Sequence, residues 1–494
     1  MKISALLYIA DDISLEDLSF AGHFLPNLLG KRLETLNSLN EVFVSTPFGF
    51  KETITTNYKL FPREGGNEMA FWKKLFSSTE SDHIVKIYAD SPFLDSEIIE
   101  EMLRDHLEYM PEFTYSENLP AGYSCEILAR ELMESLPDTE EKTPPLSEMI
   151  RSNFHQFDIE IFYKDPDIRD KRIAFRSSLP RDKRIMEALH HLNGGFPSYS
   201  EIKDLLHKNP EILYIGPSYL ELEITGQCEL DCLFCYRSKL RETRGDMDPE
   251  LFQRILEGMR DFSLPYALCF SGSGEPLQHN QFYSLLERAL KESLISTLIL
   301  ETNAIHADSN FRTFVETNPD SRFKIIININ GMDRQSYQNL HGRDCFEKVQ
   351  NNILSLNEVL ADSGRLYLQI MKINETEPFL DAYYDLWEKN RIPIILQKQN
   401  TFLSLIEDRR YSDLSPLERI PCWHLQRQLH ILSDGRACYC KQDIDSAFFS
   451  GNLYQESLRD IWERRKEAFI RNYKGDLASA PDCRSCDEWY TFNL

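Results

Sequence analysis

The sequence lacks long apolar runs. The longest, residues 3–10 and 296–300, are far shorter than the roughly 20 residues that cross a bilayer as a helix. The N-terminal stretch MKISALLYIADDISLED has a single lysine and a short apolar run, and no small-x-small cleavage site precedes its acidic residues. We therefore expect no membrane span and no signal peptide, a buried strand over residues 3–9, and a cytoplasmic protein.

Positive charge is also scarce. Only 55 Lys and Arg side chains stand against 79 Asp and Glu side chains, which gives a formal net charge of −24. A chain this acidic repels phosphate backbones, so we expect no nucleic acid partner. The hydrophobic share of 42% and the charged share of 27% are ordinary for a globular protein. The length suggests about two to four domains.

Cysteine, by contrast, is abundant and unevenly placed among the 11 positions it occupies. Most of the cysteines fall in two groups, Cys228/Cys232/Cys235 and Cys422/Cys438/Cys440/Cys483/Cys486. Clustered thiols in a reducing compartment indicate metal or iron–sulfur ligands rather than disulfides. Cys125, Cys269 and Cys345 stand alone, and we expect each to be a small buried hydrophobe.

The first part of the chain alternates strand-like and helix-like segments, which is typical of an α/β domain. Strands are predicted at 3–9, 41–45 and 83–88, in a parallel sheet. A helix is predicted at 96–109, with Asp95 as its N-cap. We expect this domain to cover residues 1–175, followed by a linker or helical connector at 176–215.

From Tyr219 the alternation becomes regular. Six strands with intervening helices predict an open, partial (β/α)6 barrel over residues 216–403. The strands are expected at 220–225, 266–270, 296–302, 324–330, 366–372 and 394–397. Gln369, Met371 and Gln397 either line a pocket or fill the core. A small cysteine-rich domain is expected at 404–494, with a hairpin at residues 429–435.

The first cysteine group lies in the loop after the first barrel strand, where barrel enzymes place their chemistry. Cys228, Cys232 and Cys235 supply three thiolates, which leave the fourth iron of an iron–sulfur cube without a cysteine. An open metal position is the feature that separates catalytic from structural sites. A zinc site with a distant fourth ligand is the alternative.

The spacing C-x3-C-x-aromatic-C after a strand, with Phe234 at the aromatic position, resembles the radical S-adenosylmethionine (SAM) superfamily. The resemblance implies a [4Fe–4S] cluster on Cys228, Cys232 and Cys235 whose open iron binds SAM. It also implies reductive cleavage of SAM to a 5′-deoxyadenosyl radical that removes a hydrogen atom from the substrate. A donor such as flavodoxin or ferredoxin would supply the electron.

Three further stretches at strand ends resemble cofactor-binding elements of that superfamily. SGSGEP at 271–276 resembles its Gly-Gly-Glu-Pro element, with Ser273 in place of the first glycine. ETN at 301–303 resembles its Thr-Asn-Gly element, with Ala304 in place of the glycine. Asn328 begins the stretch NING at 328–331, where relatives often have Ser-x-Asp-Gly, and the resemblance implies a contact with the cofactor carboxylate or ribose. The cofactor-binding residues implied by the resemblance are Phe234, Ser273, Gly274, Glu275, Thr302, Asn303 and Asn328.

The second cysteine group resembles the SPASM/twitch auxiliary-cluster domain, which opens with C-x(9–15)-G-x4-C. Cys422 and Cys440 fit that spacing, and Cys483 and Cys486 follow. The resemblance implies one auxiliary [4Fe–4S] cluster on these four residues, with Cys438 as the alternative to Cys440. Four thiolates also suit a structural zinc, which would carry no electrons.

Residues 1–175 resemble the nucleotidyltransferase fold of sugar-nucleotide enzymes in three stretches, GK at 30–31, YADSPFLD at 88–95 and LPAGYSCE at 119–126. The resemblance implies that Asp90 would bind a divalent metal at the nucleotide phosphates. However, the loop at 10–14, ADDIS, is acidic where active relatives carry Arg and Lys, and it would repel a triphosphate. A scaffold or ligand-recognition role is therefore favoured over catalysis. The three-part order resembles that of spiro-SPASM proteins.

Three functions follow from these patterns. The first is a radical enzyme that modifies a peptide or a nucleotide-linked sugar. The SPASM resemblance favours the peptide, and the transferase-like domain favours the sugar. The second is a nucleotidyltransferase acting on a sugar, and the third is a non-catalytic iron–sulfur scaffold or sensor. The sequence assigns no catalytic side chain.

Overall fold

A computed structural model describes residues 1–50, 54–64, 68–136, 145–412, 415–448, 451–478 and 483–491. The chain divides into two compact units, Met1–Ile212 and Leu213–Leu494. The finer division at residues 175, 215 and 403 stays a prediction. Within the described ranges, the helices are all too short or too polar to cross a bilayer.

The first unit is a mixed β-sheet with flanking helices. Its strands are β1 (Ile3–Tyr8), β2 (Ser19–Phe20), β3 (His23–Phe24), β4 (Glu41–Thr46), β5 (Lys59–Pro62), β6 (His83–Tyr88), β7 (Phe113–Ser116), β8 (Glu126–Ala129) and β9 (Ile159–Phe162). Its helices are α1 (Leu25–Leu33), α2 (Glu68–Thr79), α3 (Ser96–Tyr109), α4 (Arg130–Ser135), α5 (Leu146–Ser152), α6 (Pro180–Asn193) and α7 (Tyr199–Lys208). The main sheet has the order β5-β4-β1-β6-β8-β7-β9, and β2 pairs with β3.

The centre of this sheet is parallel, as the sequence predicts. Strands β5, β4, β1 and β6 run parallel, but β8 pairs antiparallel with β6 and β7, so the prediction of a parallel sheet is wrong at that edge. The predicted buried first strand is confirmed, because β1 is buried at every position. A strand covered on both faces is apolar throughout rather than at alternate residues. Helix α3 has its predicted bounds, and the Asp95 carboxylate accepts the N–H of Glu97 at 3.0 Å as its cap.

The second unit contains the partial barrel and the cysteine-rich C-terminal region. Its strands are β10 (Tyr219–Leu222), β11 (Tyr266–Phe270), β12 (Ile295–Thr302), β13 (Phe323–Asn328), β14 (Leu366–Lys372), β15 (Ile394–Lys398), β16 (Gln428–Ile431), β17 (Arg436–Ala437) and β18 (Gly451–Asn452). Its helices are α8 (Pro249–Arg260), α9 (Phe282–Leu290), α10 (Ser309–Thr317), α11 (Arg334–His341), α12 (Phe346–Leu360), α13 (Leu380–Glu388), α14 (Trp423–Arg427), α15 (Leu458–Arg464) and α16 (Lys466–Tyr473).

The six predicted barrel strands are present and lie in sequence order from β10 to β15. A further strand, β16, adds to the open edge in parallel with β10, so that Glu221 faces His430 in the register. The predicted hairpin is also confirmed, because β16 pairs antiparallel with β17. Gly435 takes the turn with φ +82°, a conformation that side chains with a Cβ rarely adopt. The C-terminal region thus completes the barrel sheet.

A layer of apolar side chains fills the barrel below the carboxyl ends of its strands. The cluster includes Tyr219, Cys269, Ile299 and Ile326, with Tyr367 and Ile395 packed against it. Cys269 is fully buried, which confirms its predicted place in the core.

The other two lone cysteines have different outcomes. Cys125 is 2% exposed and lies in the core as predicted. Cys345 is only partly buried, so the core prediction is wrong for this residue. It precedes α12 at the N-cap position, where the chain enters the helix from the surface.

Candidate active site

One cavity of about 260 Å³ opens at the carboxyl ends of the barrel strands. Its lining includes the three cysteines of the first group and every residue predicted to bind the cofactor, from Phe234 to Asn328. Parallel strands bring their carboxyl ends to one edge of a sheet, so residues far apart in sequence meet there. The structure therefore assembles the first set of predicted site residues in one place.

The cysteine loop after β10 is held by its own backbone and by Arg237. The N–H of Cys235 donates to the carbonyl oxygen of Cys232 at 3.0 Å. The Arg237 guanidinium donates to the carbonyl oxygens of Cys228 at 2.8 Å and Leu230 at 2.7 Å. These contacts fix the turn that points the three thiols into the cavity.

His341, which the sequence analysis missed, contacts the sulfur of Cys232. Its Nδ1 lies 3.2 Å from the Cys232 Sγ, and its Nε2 accepts the backbone N–H of Asn330 at 3.1 Å. Since Nε2 is an acceptor, the neutral ring carries its proton on Nδ1 and donates it to the sulfur. Burial lowers the pKa of His341 to about 3, which keeps the ring neutral. Phe234 packs edge-on against this ring at 5.7 Å, which gives the aromatic position of the motif a structural role.

Glu275 is the carboxylate at the centre of the predicted cofactor-binding residues. It is 3% exposed and accepts hydrogen bonds from the Thr302 hydroxyl at 2.6 Å and the Asn303 N–H at 2.7 Å. Burial raises the pKa of Glu275 to about 7, against the effect of these bonds. A Cβ on Gly274 would lie 2.1 Å from the carbonyl oxygen of Thr225, so only glycine fits there.

The two departures from the family pattern have local explanations. The Ser273 hydroxyl and N–H both donate to Glu223, a buried carboxylate that also pairs with Arg244. Ala304 takes φ +59°, a left-handed conformation that favours glycine. Neither Glu223 nor Arg244 was predicted from the sequence. A carboxylate among apolar residues just after β10 was the one feature that could have pointed to Glu223.

A second cavity, of about 20 Å³, is lined by cysteines of the second group. Cys422, Cys440, Cys483 and Cys486 all line it, but Cys438 does not. Cys438 is fully buried, with its N–H bonded to the carbonyl oxygen of His430 at 2.9 Å in the hairpin. The structure therefore brings together the set that contains Cys440.

The cysteines of both groups form no disulfides with one another or with other described residues. Burial raises the pKa of Cys228 and of Cys486 to about 11. Such thiols become thiolates when a metal or cluster neutralises their charge. Three thiols that face an open cavity fit a cluster with one free iron. Four thiols around a closed cavity fit a fully ligated cluster. Among the described residues, His, Cys, Asp and Glu side chains nowhere converge on the position of a single metal ion.

Asp90, the predicted metal ligand of the first unit, is fully buried and already partnered. The Arg176 guanidinium donates to both carboxylate oxygens at 2.9 to 3.1 Å, and the Ser178 hydroxyl donates to one of them. Arg176 also stacks over the Tyr88 ring at 4.1 Å. The carboxylate therefore already has a cationic partner and a hydroxyl donor. The sequence analysis missed Arg176, which lies 86 residues from Asp90.

Comparison with known proteins gives two family matches. Residues 222–377 match the radical SAM superfamily model, and residues 422–487 match the SPASM model, an iron–sulfur cluster-binding domain. The chain is 27% identical over 360 residues to an uncharacterized protein of Treponema pallidum, covering 70% of this chain and 98% of that protein.

Two solved structures resemble parts of the chain. The first is SuiB of Streptococcus suis bound to its precursor peptide SuiA, with 15% identity, coverage of 53% of this chain and 69% of that one, and a TM-score of 0.43. The second is a cytidylyltransferase of Leptospira borgpetersenii, with 18% identity, coverage of 43% of this chain and 96% of that one, and a TM-score of 0.38.

Proposed function

We propose that this chain, a radical SAM enzyme with a SPASM domain, uses the cavity above β10–β15 to cleave SAM and modify a peptide or sugar-nucleotide-type substrate. The observation that carries the proposal is the meeting of Cys228, Cys232 and Cys235 with the predicted cofactor-binding residues in one cavity. When bound, a [4Fe–4S] cluster supplies the electron that cleaves SAM to a 5′-deoxyadenosyl radical.

The side chains around the cavity have distinct roles in this proposal. Cys228, Cys232 and Cys235 hold the cluster and leave one iron free. His341 donates its Nδ1 proton to the Cys232 sulfur, which stabilises negative charge on that ligand. Glu275 accepts from the ammonium group of SAM, since it faces the cavity and carries the only carboxylate within the SGSGEP stretch.

The second cavity is proposed to hold one auxiliary [4Fe–4S] cluster on Cys422, Cys440, Cys483 and Cys486. Four thiolates leave no free iron, so this cluster serves electron transfer or stability rather than SAM binding. An external reductant such as flavodoxin or ferredoxin is the proposed electron donor, and the cytoplasm is the proposed location because free thiols persist there.

The nucleotidyltransferase alternative has no support from the geometry of Asp90. Its carboxylate accepts hydrogen bonds from Arg176 and Ser178. The loop at 10–14, which would meet a triphosphate, is acidic. We infer that the first unit recognises a ligand or partner without transferring a nucleotide.

The test is anaerobic reconstitution followed by reduction in the presence of SAM. The wild-type chain should bind about eight irons and release 5′-deoxyadenosine. Cys232→Ala should abolish that release. Cys345→Ser, which changes a thiol outside both cavities, should retain it. Zinc rather than iron at the first site, or no 5′-deoxyadenosine from wild type, would contradict the proposal.

A further inference from the structure

The cavity has a polar floor, of whose residues only Asn328 is among those predicted to bind the cofactor. Side chains alternate along a strand, so the residues two positions after the apolar barrel layer also point inward. On two strands these residues are carboxylates, Glu221 and Glu301, and His430 of the added strand β16 faces Glu221 in the register. On the others they are Ser271, Asn328, Gln369 and Gln397. All of them line the cavity.

Burying a polar side chain costs free energy unless the side chain is hydrogen-bonded. A polar ring therefore does not by itself stabilise the fold. Part of this ring is internally satisfied. Glu221 accepts from the Ser271 hydroxyl at 2.9 Å and from the Gln428 amide at 2.6 Å. Gln369 donates to Asn328 at 2.6 Å. These bonds hold four side chains of the ring and the flanking Gln428 in fixed positions.

His430 and Glu301 are ring members whose side chains make no hydrogen bond to the residues that the structure describes. His430 is 4% exposed, and both of its ring nitrogens lack a hydrogen bond among the described residues. No hydrogen bond reaches the Glu301 carboxylate from any residue that the structure describes. Burial raises the pKa of Glu301 to about 7, and the neighbouring Glu221 adds to the effect. An arriving cation would favour the ionised form of Glu301.

The charge around the floor is unbalanced. Among the described residues that line the cavity, only Lys441 carries an ammonium group, and it already pairs with Glu488 at 3.0 Å. Lys441 also acts electrostatically on Glu221 and Glu301, so its single charge is shared among three carboxylates. A ligand with a positive charge would balance them, and its hydroxyl groups would satisfy the amides of Gln369 and Gln397.

Resting on the proposed function, we propose that Glu301 and His430 bind the substrate, and that its reacting part is a polyhydroxylated ring bearing a protonated amine, as in an amino sugar. Glu301 accepts from the ammonium group, and His430 bonds a neighbouring hydroxyl. An apolar side chain of a peptide would leave these groups unpaired, which selects strongly against it.

The experiment follows a deuterium atom from the substrate. The reconstituted full chain is reduced with SAM in the presence of uniformly C-deuterated glucosamine, C-deuterated glucose, or a peptide with one perdeuterated leucine. When the radical reacts, a C–D bond of the probe breaks and a C–D bond forms at the 5′ carbon, leaving the unpaired electron on the probe carbon. The readout is the fraction of released 5′-deoxyadenosine that carries deuterium, measured by mass spectrometry.

Glucosamine should give a deuterated fraction about tenfold or more above that of glucose, because one charge-assisted hydrogen bond is lost with glucose. Glu301→Gln and His430→Phe should each lower the glucosamine fraction about tenfold. Glu287→Gln, the same change at an exposed position of α9, should leave it as in wild type.

Equal fractions from glucose and glucosamine, deuterium from the leucine peptide in preference, or no deuterium from any probe would overturn the assignment. The comparison of the three probes uses only the wild-type chain. It therefore tests the proposed substrate class even if a variant fails to fold. Failure of the proposed function itself is distinct, because wild type would then release no 5′-deoxyadenosine at all.

Discussion

Replacing Arg244 by methionine should destabilise the second unit more than any surface substitution. The side chain of Glu223 is fully buried and that of Arg244 is 2% exposed, and the two form a bidentate pair with one contact of 2.8 Å. Burial alone would raise the pKa of Glu223, but the hydrogen bonds and charge of Arg244 outweigh it and hold the pKa below its ordinary value. The methionine would leave a charge buried and unpaired.

The expected size follows from that geometry. Removing one partner of a buried ion pair lowers the free energy of unfolding by about 3–5 kcal/mol. For a domain of this size, 1 kcal/mol shifts the melting temperature by about 2–4 °C, so Arg244→Met should lose about 6–20 °C. Glu223 also accepts the N–H of Ser273. The loop that carries Gly274 should therefore loosen, and SAM affinity should fall.

The assay is thermal unfolding of the full chain followed by circular dichroism, with two companion variants. Glu223→Gln in the Arg244→Met background removes the buried charge and keeps an acceptor for Ser273, so it should recover most of the loss. Arg334→Met breaks an ion pair with Asp344 in which the arginine is 65% exposed. It should leave the melting temperature close to that of wild type. If Arg244→Met is no worse than Arg334→Met, or the double variant recovers nothing, the argument from burial is wrong.

Three further outcomes are expected. Cys440→Ala should lower the iron content from about eight to about four per chain, whereas Cys438→Ala should leave it near eight, as measured by iron analysis after reconstitution. Gly274→Ala should abolish SAM-dependent release of 5′-deoxyadenosine, because its Cβ would meet a backbone oxygen at 2.1 Å. Burial lowers the pKa of His106 from 6.5 to about 3, so the unfolded chain binds the proton first as the pH falls. The free energy of unfolding should therefore drop by about 2 kcal/mol between pH 6.5 and 5.0 from this group alone, measured by urea titration.

Each of these outcomes has a matched control. Gly245→Ala adds a Cβ that meets nothing within 4 Å, so activity should persist. His106→Gln should flatten the acid slope, and His207→Gln, at an exposed position of α7, should not. Equal iron loss in Cys438→Ala and Cys440→Ala, an active Gly274→Ala, or an unchanged slope in His106→Gln would each refute the corresponding inference.

The sequence predicted the features that depend on residues close together in the chain. The helix at 96–109 and its cap Asp95 follow from periodicity and one side chain. The glycine spacing favoured Cys440 over Cys438, and Cys440 is the one of the two that lines the second cavity. The cysteine loop after β10 needed only its own few residues to be recognised.

Contacts between distant residues were not predictable in the same way. Arg176 reaches Asp90 across 86 residues, and His341 reaches Cys232 across 109. No periodicity links such pairs, because their meeting depends on how the strands are ordered. The antiparallel β8 was missed for the same reason, since strand direction is set by the connections and by the neighbours that each strand finds.

The parallel pairing of β16 with β10 has a consequence for cutting or exchanging parts of the molecule. A chain truncated after residue 403 would lack β16 and leave one edge of β10 with unpaired N–H and C=O groups. Such an edge can pair with another chain and cause aggregation. The truncated chain would also lack His430, one side of the cavity floor. Moving the cysteine-rich segment onto another barrel would therefore also move part of the cavity lining. We expect the barrel and this segment to evolve together.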